Sequence, residues 1–186
     1  CWGHNIYKQS RPPEGRFAQV SAGAWHTCAL DTDGNVSCFG QEADGRTAAP
    51  TGSFTQVSAG WTHSCAVLTD GRIQCWGNDD KGQATPPTGA GFVQVSAGEH
   101  HSCALDSAGK ITCWGSNSAG EAAPPEGSFA QVHAGSRFTC ARTDAGAVSC
   151  WGIDNYEQTH VPEATFASIG RGFASMCGYT VDGDLS

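Results

Sequence analysis

Apolar residues occur along the chain in short runs that are rich in Val, Phe, Trp and Thr and are bounded by Gly, Asp and Pro. Runs of this kind predict β-strands, and no stretch has the 3.6-residue period of an amphipathic helix. Residues 17–22, 26–30 and 35–39 form the first three predicted strands. A fourth, weaker strand is expected in each repeat, at positions such as 82–85. The pattern therefore indicates an all-β fold.

The same pattern recurs five times at intervals of 37 or 38 residues. Each unit reads Phe-x-Gln-Val-Ser-Ala-Gly, two variable residues, His-Ser-Cys-Ala-Leu, a turn and Gly-x-Val-x-Cys-Trp-Gly, followed by a polar connector. The fifth copy stops at residue 186, and Cys1-Trp2-Gly3 supplies the continuation that its pattern requires, so the repeat is circular. Units 1 to 5 are residues 17–53, 54–91, 92–128, 129–165, and 166–186 completed by 1–16.

Several short strands in a unit of about 37 residues are typical of a propeller blade. We therefore expect a single domain over residues 1–186, a five-bladed β-propeller in which each repeat has a hairpin disulfide and the last blade is completed by the N-terminal strand. A β-solenoid and a series of separate disulfide-stapled hairpins are the alternatives. The pattern is also compatible with a head-to-tail fibre, or with a piece of a longer repeat array.

The ten cysteines support this division into units, because two of them stand ten positions apart across each predicted hairpin turn. Folding the third unit into a hairpin places its two cysteines opposite each other, within the reach of a disulfide. So many cysteines in an even number indicate an oxidising compartment, so the protein is predicted to be secreted, extracellular or periplasmic. The fifth pair would join the two ends of the chain. The predicted disulfides are Cys28–Cys38, Cys65–Cys75, Cys103–Cys113, Cys140–Cys150 and Cys1–Cys177.

Composition excludes several classes of partner. The net charge is −8 and no cluster of Lys or Arg occurs, which argues against nucleic acid and against anionic membranes. No run of 18 apolar residues is present, so no membrane span is predicted. The chain begins at Cys1, which predicts a processed form, with a lipid-anchored N-terminal cysteine as the alternative. Asn35-Val-Ser37 is a glycosylation sequon.

The run Ala-Gly-x-x-His-Ser-x-Ala-Leu, followed by Asp-Gly-x-Val-x-x-Trp-Gly-x-Asn-x-x-Gly-Gln, resembles the repeat of the regulator of chromosome condensation family. Residues 98–105, residues 75–78, Gly82 and Gln83 carry the resemblance, which covers essentially the whole chain. The resemblance implies a β-propeller, usually with seven blades. The added cysteine pairs look more like those of secreted bacterial members. One group of these members are β-lactamase-inhibitory propellers, in which the partner docks on a loop face.

Three histidines, His26, His63 and His101, occupy one repeat position. Successive blades could direct them at the axis to hold a metal ion, but a hydrogen bond from each imidazole to the backbone is the favoured interpretation. No Ser/His/Asp or paired-carboxylate constellation stands out, so we expect no enzymatic activity, no metal and no cofactor. The aromatic residues after the second cysteine are predicted to pack in the core or between blades: Trp2, Phe39, Trp76, Trp114 and Trp151.

Two residues vary between the Ala-Gly pair and the second strand of each unit. These residues are loops at equivalent places on a repeated scaffold, so they are expected to share one rim of the disc. Their Trp, Phe, Arg and His side chains are typical of interface hot spots, with extra core for wider blades as the alternative. A second variable set after each Cys-Trp-Gly is polar and is predicted to be a solvated edge. The predicted ligand-binding rim consists of Trp25, Trp61, Glu99, His100, Arg137 and Phe173.

These features predict a secreted, non-enzymatic binding module that recognises a protein or a glycan through the rim. The alternatives are a structural subunit of an extracellular fibre, self-associated through its Cys1 and Ser186 ends, and an enzyme. Neither the ligand nor the choice between a closed ring and a continuing array can be derived from the pattern.

Overall fold

The structure is a computed structural model that describes residues 1–172 and 174–185. Each of units 1 to 4 forms a three-stranded antiparallel sheet whose strands neighbour one another in chain order. Unit 5 forms a two-stranded sheet and an isolated pair between Tyr179 and Leu185. The strands are β1 (Phe17–Ala22), β2 (His26–Asp31), β3 (Val36–Gly40), β4 (Phe54–Ala59), β5 (His63–Leu68), β6 (Ile73–Gly77), β7 (Phe92–Ala97), β8 (His101–Asp106), β9 (Ile111–Gly115), β10 (Gln131–Ala134), β11 (Phe138–Arg142), β12 (Val148–Gly152), β13 (Phe166–Arg171) and β14 (Met176–Thr180).

The prediction of a fourth strand in each unit is wrong, because the described connectors contain none. In unit 2 the segment 82–85 is held by local turns. The amide of Gly82 donates to the carbonyl of Asp79 at 3.0 Å, and that of Thr85 donates to the carbonyl of Gly82 at 3.2 Å. Backbone groups that are bonded within their own turn are not available to a strand ladder.

Four of the predicted disulfides are formed. In each, the two cysteines are directly opposite across an antiparallel pair, with Cα atoms 4.0–4.1 Å apart. Each bond joins the second and third strands of one unit, so each unit carries its own covalent link. The four pairs are Cys28–Cys38, Cys65–Cys75, Cys103–Cys113 and Cys140–Cys150.

The first strands of successive units are joined by two side chains of the repeat. Gln19 accepts a hydrogen bond from the amide of Val57 (2.9 Å) and donates one to its carbonyl (3.1 Å). Ser21 accepts a bond from the amide of Ala59 at 2.9 Å. The equivalent glutamines and serines of units 2 and 3 form the same bonds with the units that follow them. The first strands of successive units, which we call the inner strands, are therefore held side by side by repeated polar contacts.

The three repeated histidines form hydrogen bonds to neighbouring units instead of binding a metal ion. The Nε2 atoms of His26, His63 and His101 lie 2.7–2.8 Å from the hydroxyl oxygens of Ser64, Ser102 and Thr139. The Ser102 and Thr139 hydroxyls donate their own protons to connector carbonyls, so each accepts from the imidazole, which is the Nε2–H tautomer. The prediction of a hydrogen-bonding role is confirmed, although the partner is a hydroxyl of the next unit rather than the backbone.

Unit 4 replaces this polar contact with an apolar one. Phe138 occupies the histidine position and is fully buried, and Met176 occupies the hydroxyl position of unit 5. Both belong to a cluster that also contains Phe166 and Ile169. The two members of the pair have therefore changed together, so each of the four interfaces from unit 1 to unit 5 has either a hydrogen bond or an apolar contact at this position.

Of the five aromatic residues after the second cysteine, the tryptophans of units 2 to 4 pack as predicted. Trp76, Trp114 and Trp151 donate their indole N–H to the carbonyls of Arg46, Gln83 and Glu121 in the preceding connector, at 2.9–3.0 Å. The same connector carbonyls of Gln83 and Glu121 also accept the hydroxyl protons of Ser102 and Thr139, so the connectors help to join consecutive units. Trp2 does not pack in this way, since it is 95% exposed.

The predicted fifth disulfide is absent, because Cys1 and Cys177 are both exposed and unpaired. Residues 1–3 form no strand beside β14, so the prediction that the N-terminal strand completes unit 5 is not met in this structure. The sequence of unit 5 supplies a physical reason. Ser168, Gly170 and Ser175 replace the Gln, Ser and His that join each of units 1 to 3 to the next unit. Ring closure and self-association through the ends remain predictions.

Candidate binding site at the central cavity

A glycine follows the first strand of every unit, and in units 1 to 3 it allows the next unit to approach closely. A Cβ atom on Gly60 would lie 2.4 Å from the carbonyl oxygen of Gly98 in unit 3, well inside contact distance. The same carbonyl accepts a hydrogen bond from the amide of Trp61 at 3.0 Å. Equivalent bonds run from Ala24 to unit 2 and from Glu99 to unit 4. The first residue of each of these loops is therefore fixed by the neighbouring unit.

The second loop residue is fixed by its own unit. The carbonyls of Trp25, Thr62, His100 and Arg137 each accept a hydrogen bond, at 2.8–2.9 Å, from the amide of the residue that follows the third strand. The loop backbone is therefore held on both sides by contacts that do not involve its side chains. These side chains can vary between units without changing the scaffold, which is the property expected of a recognition surface.

A cavity of about 430 Å³ lies between the ends of the inner strands, and all five units contribute to its wall. The glycines described above form much of this wall, together with the first loop residues of units 1 to 4. Unit 5 contributes Gly172 and the last residue of β13. We call this space the central cavity, and its loop residues are Ala24, Trp61, Glu99 and Ser136.

Four side chains are interconnected at the mouth of the central cavity. The rings of Trp61 and His100 lie 5.8 Å apart, centre to centre, with their planes at 35°. His100 Nε2 lies 3.4 Å from a carboxylate oxygen of Glu99, and the hydroxyl of Ser136 donates to the other oxygen. The Glu99 carboxylate thus links units 3 and 4. The indole, the imidazole and the carboxylate together form an amphipathic patch.

The other predicted rim residues lie elsewhere. Trp25 packs edge-on against His4 and Tyr7, with ring centres 6.2 and 6.0 Å away. Arg137 reaches Ser118 of the preceding connector at 3.1 Å. Both border the rim on its outer side, where the second variable set of residues is largely exposed. Phe173 lies outside the described residues.

Sequence analysis missed one member of the cavity wall. Arg171 stands at the repeat position that is alanine in every other unit, and its guanidinium Nη2 donates to the carbonyl of Ala59, 112 positions away, at 2.8 Å. Burial lowers the pKa of Arg171. The repeat alignment does single out Arg171, since an arginine here breaks the pattern. The direction in which its side chain points could not be derived from the sequence.

No group of three or more His, Cys, Asp or Glu residues is arranged to hold a metal ion in the described part of the chain. Burial is the main cause that lowers the pKa of His26, His63 and His101 to about 4, 3 and 4. These imidazoles are therefore neutral at pH 7, consistent with their role as hydrogen-bond donors. No helix found among residues 1–172 and 174–185 has the length and apolar character needed to cross a membrane.

Solved structures show the same fold. The chain resembles the entire ectodomain of the Physcomitrella patens receptor kinase CR4, with 26% identity and a TM-score of 0.82, over 97% of this chain and 52% of that one. It also resembles the CRINKLY WD40 ectodomain of the Arabidopsis thaliana receptor kinase ACR4, with 23% identity and a TM-score of 0.81, over 97% and 68% of the two chains. Yeast RCC1 (Prp20) bound to Kap60 matches with 17% identity and a TM-score of 0.74, over 91% and 55%.

The chain spans about half the length of the CR4 ectodomain that it matches. No curated protein matches its sequence. The family model of the regulator of chromosome condensation (RCC1) repeat matches it four times, at residues 17–46, 54–83, 92–121 and 129–158. These matches cover most of units 1 to 4, and their boundaries follow the repeat. The chain therefore belongs to the RCC1 repeat family of β-propeller proteins.

Proposed function

We propose that the chain is a non-enzymatic extracellular binding module that recognises a protein partner at the mouth of the central cavity. The observation that carries the proposal is the way the loops are built. All five units contribute to one cavity, and the loop backbone is fixed while the side chains differ from unit to unit. A surface of this kind presents side chains of several chemical types in fixed positions.

The side chains at the mouth suit a protein interface. Trp61 supplies a large ring beside His100, and tryptophan is among the residues that contribute most to interface affinity. The Glu99 carboxylate is held by Ser136 and His100, so it is already ordered before a partner arrives. Pre-ordered side chains lose little conformational entropy on binding, which favours affinity.

An extracellular location is supported by the four disulfides and by the similarity to the ectodomains of two receptor kinases. A protein rather than a glycan partner is supported by other structures with this fold. One is described with Kap60 bound to yeast RCC1, and another with the binding of Prp20p to Gsp1p and histones.

The proposal is tested with purified protein against an array of extracellular protein domains and, in parallel, an array of glycans. The variants are W61A and H100A, with R72A as the matched control. Arg72 is an exposed residue in the hairpin turn at the opposite end of β5 from the Trp61 loop. We expect a protein ligand whose affinity falls at least about 30-fold in W61A and is unchanged in R72A.

Equal loss in W61A and R72A, or no loss in W61A and H100A, would place the ligand elsewhere and contradict the proposal. Binding to glycans alone would contradict the choice of a protein partner. The loop backbone bonds do not involve the substituted side chains, so both rim variants are expected to fold.

A further inference from the structure

Arg171 is the exception in an otherwise uniform ring of small residues. The last residue of the inner strand is alanine in units 1 to 4, and the alanines of units 2 to 4 are fully buried. In unit 5 the arginine side chain extends from this position along the wall of the central cavity. The substitution therefore places a permanent positive charge where the repeat has only a methyl group.

Among the described residues, the guanidinium has one hydrogen-bond partner, on the opposite side of the cavity. Its Nη2 donates to the carbonyl of Ala59 in unit 2, which fixes the side chain across the space between units 5 and 2. Within residues 1–172 and 174–185, no carboxylate forms an ion pair with Arg171. A guanidinium has five N–H donors in a planar fork, so most of its donor capacity remains available to a ligand.

We propose that the central cavity binds a carboxylate, presented by an Asp or Glu side chain of the protein partner, on the guanidinium of Arg171. The inference rests on the proposed function, because the carboxylate would enter through the mouth that Trp61 and Glu99 border. The inference specifies, beyond the proposed function, that the partner inserts an acidic residue into the cavity.

The physical reason is the desolvation of the charge. A cation that is removed from water without an anion is unfavourable, and a carboxylate that enters the cavity restores the lost interaction through charge-assisted, bidentate hydrogen bonds. Among the groups near the guanidinium, the His133 imidazole does not add a second charge. Burial, and next the positive charge of Arg171, lower the pKa of His133 to about 4, although a hydrogen bond with Ile169 acts in the opposite direction.

Glu99 determines which anion fits. Its carboxylate lines the same cavity and would repel a dianion more strongly than a monoanion. A singly charged carboxylate is therefore favoured over inorganic phosphate.

The test uses the intact protein and two small probes, N-acetyl-aspartate N-methylamide and its neutral asparagine counterpart. NMR follows the guanidinium Nε–H signal of Arg171 during titration. We expect the aspartate probe to saturate with a dissociation constant in the order of millimolar, and the asparagine probe to bind at least about tenfold more weakly. Inorganic phosphate is titrated in a separate arm.

Three variants complete the design. R171A carries the residue found in the other units, so it is expected to fold, which circular dichroism checks. It should abolish the probe response at neighbouring cavity signals. R171K keeps the charge but loses the fork, and should bind more weakly than the wild type. W61A should retain the aspartate probe, because the probe needs the guanidinium and not the indole.

Equal binding of the two probes by the wild type, or phosphate binding as tight as that of the aspartate probe, would overturn the carboxylate assignment without any variant. Unchanged partner affinity in R171A, together with loss in W61A, would refute the carboxylate site but leave the proposed function standing. Retained partner affinity in W61A, with a specific aspartate response at Arg171, would refute the proposed function alone.

Discussion

Lowering the pH from about 7.5 to about 5 should destabilise the protein through its three buried inter-unit histidines. His26, His63 and His101 are fully buried, and the Nε2 atom of each is hydrogen-bonded to a hydroxyl of the next unit. In all three the Nδ1 atom is buried without a hydrogen-bond partner. Protonation would therefore place a charged N–H where nothing in the described surroundings accepts it.

The magnitude follows from the pKa values. The ordinary histidine pKa is 6.5, and burial, the main cause, lowers the values of His26, His63 and His101 to about 4, 3 and 4 in the folded state. Below pH 6.5 the unfolded chain binds protons that the folded chain does not, so stability falls as pH falls. Each histidine contributes about 1.4 kcal/mol per pH unit in this window. Between pH 6.5 and 5 the three together remove about 6 kcal/mol, comparable to the whole stability of many domains.

The assay is urea unfolding at several pH values from about 7.5 to 5, followed by tryptophan fluorescence. His133, whose pKa burial likewise lowers to about 4, adds a fourth contribution to the slope. H101Q removes one of these four titrating groups but keeps a hydrogen-bond donor, so it should reduce the slope of stability against pH by about one quarter. R72A is the control, because the side chain of Arg72 is 64% exposed and a guanidinium does not titrate in this pH range, so the slope should be unchanged. A stability that is constant down to pH 5, or a slope that H101Q does not alter, would refute the reasoning.

Two further predictions concern the joints between units. G60A should destabilise the protein by about 1–3 kcal/mol in the same assay, because its Cβ would lie 2.4 Å from the Gly98 carbonyl oxygen. G170A, which meets no atom within 4 Å, should be neutral or slightly stabilising, and equal losses in the two variants would contradict the close-approach argument. The buried carboxylate of Glu121 accepts hydrogen bonds from the Ser116 hydroxyl and the Ala119 amide. E121Q should change stability by less than about 1 kcal/mol, since its amide oxygen can accept the Ala119 N–H and its NH2 group can donate to the Ser116 hydroxyl. E121A should lose about 1–3 kcal/mol, because it leaves both part-buried donors without this partner, and a loss no larger than that of E121Q would contradict this role.

The local part of this structure could be predicted from the sequence. Three strands in each of units 1 to 4 and four disulfides follow from short-range signals, namely a run of apolar residues, a turn and two cysteines ten positions apart. Cys103 and Cys113 meet because a hairpin of that length leaves them opposite. Such features depend on the covalent chain alone and do not require knowledge of how the units are arranged.

The features that failed depend on contacts between distant residues. The fourth strand was expected from composition, yet the connector instead supplies single carbonyls, such as that of Gln83, to two donors at once. The disulfide between Cys1 and Cys177 required the two ends to meet, and the repeat gives no measure of their distance. Trp25 and Trp61 looked equivalent as loop aromatics, but Trp25 occupies the second loop position of unit 1, whereas Trp61 occupies the first loop position of unit 2. Only the structure shows that one position faces the cavity and the other the outer rim.

The repeat also separates positions that hold the fold from positions that are free to bind. Where unit 4 meets unit 5, the joining residues have changed as a compatible pair, since Phe138 and Met176 replace a histidine and a hydroxyl. The loop residues change singly and to unrelated types, from Trp61 to Glu99, although their backbones make the same bonds. A position that stabilises the interface cannot tolerate an isolated change, because its partner would be left unsatisfied. A position can tolerate an isolated change when only its backbone takes part in the fold. The loop positions that line the central cavity are of this kind. Its side chains are therefore better explained by a ligand than by the stability of the fold.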